Sequence, residues 1–260
     1  MKKKFGLGFF ALAAYVLCLL VTFPADRAFD LLRRYVDLSP AKVWVAGLEG
    51  TVWSGRAAEL LVGGVACRKV EWSCQPLALL RGRLRTALRM QIESGAAHGV
   101  LSLGRREVVL EAVEANLPAA LLARPFAVFG IGAGGMLSAN LERLILREGR
   151  LRALDGKVVW SGALLTATQE AVLGDLKAEL GTVEQMMQGK ITDSGGPLQA
   201  MINLRLDQEG AYEVKGSLGA RDRKRSAIYE TLRLLGRPDK DGNIAVALAG
   251  KLPPFSYGIF

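Results

Sequence analysis

The sequence predicts a mainly β protein: an N-terminal transmembrane helix, then a long, curved, mostly antiparallel sheet carrying two short helices. Three observations predict it. A short phrase, Gly50-Thr51-Val52-Trp53-Ser54-Gly55, returns as Gly156-Lys157-Val158-Val159-Trp160-Ser161-Gly162. Each copy lies in β-prone sequence ahead of an apolar, alternating stretch, as expected of a sheet built by repetition. Residues 5–23 carry no charge and follow the cluster Lys2-Lys3-Lys4. From residue 43 onward the hydrophobic period is two rather than helical, and turn signals separate the runs.

The N-terminal run is long enough to cross a bilayer as a helix, which needs about 20 apolar residues. The lysines stay in the cytoplasm, so the remainder lies across the membrane. A cleaved signal peptide is the rival reading. Its apolar core is shorter, about 7–15 residues, and ends in a small-x-small site. Here the exit is Val21-Thr22-Phe23-Pro24-Ala25-Asp26, and Phe23 occupies a position that needs a small residue. Residues 1–24 therefore read as a basic cluster and a retained anchor in membrane lipid. Residues 25–40 place Phe29, Leu32 and Val36 at helical spacing among charged residues, an amphipathic helix at the membrane surface ending at Leu38-Ser39-Pro40. Residues 41–260 form the β domain.

Within that domain, strands are expected over 43–52, 65–73 and 83–93, with Gly63-Gly64 as a turn. Strand 83–93 is the clearest. Leu84, Thr86, Leu88, Met90 and Ile92 take one face, and Arg83, Arg85, Arg89, Gln91 and Glu93 the other. Gly95 to Gly99 reads as a loop, followed by two short strands to about Glu114. Asn116-Leu117-Pro118 reads as a helix start, with Asn116 as cap and proline in the first turn. Gly130 to Gly135 reads as a flexible loop. Further strands are expected over 136–146, 150–160, 172–182, 198–207, 211–220 and 243–252, with Asp207-Gln208-Glu209-Gly210 as a hairpin turn. Residues 221–235 read as a helix with Ile228, Leu232 and Leu235 on one face, capped by Gly236 and followed by Pro238.

So little helix cannot cover so much apolar sheet. The face must close, pair or curl away from water. Leu84, Leu88, Met90, Ile92, Leu176, Leu180, Val214 and Leu218 are the residues expected to line such an apolar groove, where lipid could bind.

The net charge of +9 does not read as a nucleic-acid footprint. The basic residues are scattered through strands with few aromatics among them, so a basic surface near an anionic membrane is the expectation, with no nucleic acid as partner. Of the three cysteines, Cys18 falls in the anchor. Cys67 and Cys74 have opposite parity, and on one strand they would be about 20 Å or more apart. A disulfide needs a turn between them, and residues 68–73 do not have the composition of one.

No catalytic constellation emerges. Gly130 to Gly135 matches G-x-G-x-x-G, but an alternating strand follows where a dinucleotide site needs a helix. His98 is the only histidine, so a His-based zinc site is not available, and no Cys-x-x-Cys accompanies it. Ser161 lacks a Gly-x-Ser-x-Gly elbow. Asp239 and Asp241 sit in a turn without the glutamate that a calcium loop requires. The expectation is a protein with no catalytic, metal or cofactor-binding residues.

Several phrases together resemble the type II secretion system protein N family. These are the N-terminal anchor, then Gly50 to Gly55 followed by Arg56-Ala57, and Val70-Glu71-Trp72 leading into Pro76-Leu77-Ala78-Leu79-Leu80-Arg81-Gly82. The phrase Gly156 to Gly162 follows, and Leu232-Arg233-Leu234-Leu235-Gly236 precedes Asp241-Gly242 and a final strand ending at Gly250. The resemblance implies a non-enzymatic, single-pass inner-membrane protein with its bulk in the periplasm. It implies membership of the machine that moves folded proteins from the periplasm across the outer membrane, with other secretion-system subunits as partners. Gly50, Trp53, Gly55, Trp72, Gly156, Trp160 and Gly162 are its structural motif. Cys67 and Cys74 are not a feature of that pattern. The family is also similar to the AsmA-type proteins, whose curved sheets form a lipid-carrying groove. A secretion scaffold and a lipid-binding conduit are therefore the two functions in view.

Overall fold

The computed structural model describes residues 15, 18, 19, 21–35, 43–124, 130, 132–166, 170–222, 228, 238–240 and 242–253. Among them lies one sheet of 13 strands whose spatial order is the chain order. The strands are β1 (Trp44–Gly50), β2 (Ser54–Val62), β3 (Val65–Cys74), β4 (Leu84–Ile92), β5 (Gly95–Leu103), β6 (Glu107–Pro118), β7 (Gly132–Arg147), β8 (Arg150–Thr166), β9 (Glu170–Val183), β10 (Met186–Asp193), β11 (Leu198–Leu206), β12 (Ala211–Ala220) and β13 (Asn243–Lys251). Every neighbouring pair is antiparallel; most strands are joined by short turns that return each beside the last, with longer connections after β6 and β12. β1 and β13 are the two edges.

An amphipathic helix, α1 (Ala25–Tyr35), precedes the sheet and packs beside β1. Asp26 lies in its first turn and Arg33 and Arg34 in its last, as the helix dipole favours. Pro24 forms an antiparallel bridge with Thr51, and Val52 N–H donates to the Phe23 carbonyl at 3.1 Å. The N-terminal segment therefore joins the sheet at the β1–β2 turn. The turns after β1, β3, β5, β7, β9 and β11 share this near end. Those after even-numbered strands share the far end, where α2 (Ala120–Ala123) and Ile228 lie.

The expected anchor, residues 5–23, lies mostly outside the described residues. No helix among the described residues is long and apolar enough to cross a membrane. The expected helix over 221–235 also lies outside them, except for Arg221 and Asp222, which form a bend after β12, and helical Ile228.

Several local expectations are corrected. Asn116 is not a helix cap: β6 runs through to Pro118, Asn116 pairs with Ser138, and its side-chain carbonyl accepts from Ser138 Oγ at 3.1 Å. Proline is tolerated there because it ends the strand. Residues 95–99 are not a loop but the start of β5, and Gly132 to Gly135 open β7. Those glycine runs read as loops because their special geometry, a close backbone approach, is invisible until the partner strand is known. The expected strand 43–52 stops at Gly50, and β2 and β10 went unrecognised. For β10 the reason is its turn. Glu184 and Gln185 both have left-handed φ, 48° and 66°, a two-residue hairpin made without the usual Asn or Gly.

The sheet curls between β8 and β13. Arg152 Nη1 donates to Gln208 Oε1 at 2.7 Å, and Arg150 Nη1 donates to the Glu209 carbonyl in the β11–β12 turn. In a flat sheet β8 and that turn would stand about 17 Å apart, beyond the reach of one arginine side chain.

Candidate interaction surface

Cross-strand registers decide which side chains share a face. Met90, Ala97, Ala115, Ala139, Val158, Ala178, Ile191, Ile202, Gly216 and Val246 are successive partners from β4 to β13. A parallel row runs Gly156, Leu180, Gly189, Leu204, Val214 and Leu248. Trp160 pairs with Leu176, and Leu218 pairs with Ile244. By the pleat, Leu84, Leu88, Met90, Ile92, Leu176, Leu180, Val214 and Leu218 therefore lie on one face. Each is half-buried. No large side chain among the described residues is fully buried, so this face is neither a sealed core nor bare.

The adjacent row points to the other face and is polar. Glu49, Arg56, Glu71, Arg89, His98, Glu114, Asn140, Lys157, Glu179, Lys190, Asn203 and Lys215 are consecutive partners across twelve strands. Opposite charges directly across a ladder contribute only about 0.2–1 kcal/mol each. Their larger effect is on register. A one-residue slip would carry each of these charges to the apolar face. Over the first four strands a recess of about 590 Å³ opens on this side, with Ser54, Ser73 and Ala87 between Glu49, Arg56, Glu71 and Arg89.

The first copy of the repeated phrase makes the near-end turn. Gly50 pairs with Gly55, and Gly55 with Trp72. Trp72 Nε1 donates to the Thr51 and Val52 carbonyls, both at 3.2 Å, and Cys74 N–H donates to the Trp53 carbonyl at 2.6 Å. Trp53 is half-buried. The carbonyls of a tight turn are thus satisfied by β3 instead of water. The second copy is inside β8, not at a turn. Trp160 Nε1 donates to the Gly134 carbonyl at 2.8 Å, and Gly162, at φ 59°, is the extra residue of a bulge. The two phrases therefore fold differently, and Trp53 and Trp160 do not occupy equivalent places. The likeness lies between Trp72 and Trp160, each aimed at a backbone carbonyl beside a glycine.

At the far end the apolar face is covered. Ile228 packs into a cluster with Ala163, Ala171, Leu173, Leu198, Ala200 and Ile244, against which Trp160, Leu176 and Leu218 lie. Asp193 braces that corner. Burial would push its carboxyl up, but N–H donors from Ala200 and Gly195 and the guanidinium of Arg221 hold it below the ordinary carboxylate range. Asp155 behaves alike: burial opposes ionisation, and Arg143 and the Thr182 N–H outweigh it. By contrast, between β4 and β6 an apolar recess of about 110 Å³ remains, lined by Leu88, Met90, Ala97, Leu101, Leu110 and Val113.

The candidate reactive residues are scattered. His98 is exposed on β5, 3.4 Å from Glu114. Ser161 is in β8, and Asp239 accepts the Asn243 N–H in a turn. Cys67 and Cys74 are free and stand on one strand, and burial pushes the Cys67 thiol up. No group of three metal-ligating side chains occurs among the described residues. Sequence reasoning did not single out Leu77 and Leu80 as surface, although both lie in a phrase it quoted. Their exposure follows from a 3₁₀ turn whose packing no periodicity reports.

This geometry defines a single-sheet β protein whose described residues present two extended faces, one apolar and one polar. The chain belongs to the type II secretion system protein N family: the family described as "Type II secretion system (T2SS), protein N" matches residues 41–247. It is 26% identical to the type II secretion system protein N of Aeromonas hydrophila over 266 residues, covering 97% of this chain and 100% of that protein. It is likewise 26% identical to the Vibrio cholerae protein of the same name over 264 residues, with 97% and 100% covered. No solved structure matches the chain.

Proposed function

We propose that this chain is a non-enzymatic component of type II protein secretion, held in the bacterial inner membrane by residues 5–23 with its sheet in the periplasm. The observation that carries the reading is the family match over residues 41–247, which takes in the sheet from β1 into β13. The two-faced sheet supports it, since an extended polar face suits contacts with other secretion-system subunits. Deleting the gene and following a secreted enzyme tests the role. Retention of that enzyme in the periplasm, reversed by the wild-type gene, is expected. Undiminished secretion would remove the reading. Topology is tested separately, by protease on spheroplasts: digestion of the sheet is expected, and full protection contradicts it.

A second reading is lipid binding on the apolar face. The uncovered recess at Leu88, Met90 and Leu110 favours it. Each acyl CH₂ buried there contributes about 0.8 kcal/mol. Mass spectrometry of protein extracted without added lipid should then find bound phospholipid that Leu88→Glu removes while the fold survives. Unfolding by the same substitution, with no lipid in the wild type, leaves the scaffold alone.

A further inference from the structure

The β3–β4 connection at the near end is a 3₁₀ turn, Pro76–Arg81. Leu77 is 78% exposed and Leu80 84%. Two leucines held this far into water by an ordered turn gain nothing for the fold, since apolar surface is stabilising only when removed from water. Basic residues lie in the same turn and in the β5–β6 turn at the same end. Arg81 and Arg105 are exposed and have no carboxylate partner among the described residues, and Arg83 is exposed although it reaches Glu107 at 3.3 Å.

The same end receives the N-terminal segment. The Phe23 carbonyl accepts from Val52, the Trp53 carbonyl accepts from Cys74, and Gln75 N–H donates to the Arg85 carbonyl at 2.8 Å. The leucine turn is thus tied by backbone hydrogen bonds to the point where the apolar N-terminal run ends. Leu19 and Val21, just before that point, are exposed as well.

We propose that the near end of the sheet rests on the bilayer, with Leu77 and Leu80 among the acyl chains and Arg81, Arg83 and Arg105 at anionic phospholipid headgroups. The choice of a bilayer over a protein partner rests on charge and continuity: apolar tips flanked by exposed arginines, of which Arg81 and Arg105 have no carboxylate partner among the described residues, match an anionic interface, and the apolar run arrives beside them. This rests on the anchored reading above, and it fixes which end of the sheet faces the membrane.

The full chain in liposomes of phosphatidylcholine and phosphatidylglycerol tests it. Cys67 and Cys74 are replaced by alanine. A fluorophore sensitive to quenching by doxyl-labelled lipid is placed at Leu80→Cys, at Ser194→Cys on the far end, or on native Cys18, with Cys18 replaced in the first two. Quenching at position 80 several-fold above position 194, and reduced at least twofold by Arg81→Glu with Arg105→Glu, is the expected result. Position 80 as unquenched as 194 while Cys18 is quenched overturns the proposal and leaves the anchor standing. Quenching at 80 but not at Cys18 keeps the proposal and removes the anchor. No quenching at either removes both. Should the cysteine replacements unfold the protein, a photo-crosslinking amino acid at position 80 in the otherwise wild-type chain gives the same reading in cells. Adducts with phospholipid support the proposal, and adducts with protein alone assign the patch to a protein partner and overturn it.

Discussion

The indole of Trp72 lies directly over Gly55. A Cβ built on Gly55 would stand 2.4 Å from Trp72 Cζ2 and 2.5 Å from the Glu49 carbonyl. The bare backbone of one strand thus seats the ring of the next, and the ring's N–H reaches the turn carbonyls beyond it. The β1–β2 turn, where the N-terminal segment docks, is held by this pair.

Gly55→Ala should therefore destabilise the protein by about 1–3 kcal/mol, the range for forcing a group into a filled space. Trp72→Ala should cost about 3–5 kcal/mol. Trp72→Phe keeps much of the ring, loses the donor, and should cost about 1 kcal/mol. Thermal melts of the three variants give the order. An unaffected Gly55→Ala would show that the ring does not sit there.

Trp160 packs against the far-end cluster and donates to the Gly134 carbonyl. Trp160→Ala should cost about 3–5 kcal/mol and lower the cellular amount of protein. Loss of secretion with normal abundance and melting temperature would instead mark Trp160 as a contact residue.

At the β9–β10 turn, Gln185 holds φ at 66° without being glycine. Left-handed backbone costs a side-chain-bearing residue about 1 kcal/mol or more. Glu184→Gly, at the neighbouring left-handed position with φ 48°, should raise stability by roughly that amount, less the added entropy of the unfolded chain, and leaves the hydrogen bond that Gln185 accepts from Gln208 in place. Urea titration would read it, and a fall in midpoint would contradict the turn geometry.

Acid should weaken the far end. The Asp193 carboxyl titrates lower in the folded protein than in the unfolded chain. Between those two values the unfolded state binds more protons, so stability is complete above the unfolded carboxylate value, about 3.9, and falls as pH drops through the folded one. Asp193→Asn should destabilise at pH 7, where charged hydrogen bonds contribute about 1.5–3 kcal/mol. It should flatten the acid limb of the stability curve. A mutant with an unchanged acid limb would exclude Asp193 as its source.

β4 was legible because period two survives along it, with Leu84, Leu88, Met90 and Ile92 against Arg85, Arg89 and Gln91. The antiparallel meander was legible for a related reason: runs of that period, most of them joined by short turns, leave little room for crossovers. β10 was not, because Glu184 and Gln185 carry none of the chemistry that normally marks a turn. Nor was the difference between the two Trp-Ser-Gly phrases, since the same residues suit both a turn and a bulge.

The sequence by itself determined a mainly β chain with a polar and an apolar side to most strands, and an uncharged run at residues 5–23. Side-chain alternation and charge are local properties, readable one residue at a time. Only the tertiary structure decided which strand faces which residue. Bulges at Lys69 and Ala112, with φ of 49° each, shift the registers between β3 and β4 and between β5 and β6. Those shifts align Glu71 with Arg89 and His98 with Glu114, and so produce one charged row and one apolar face. Backbone strain at a single residue depends on the partner strand that compensates it, and no pattern along one strand contains that partner.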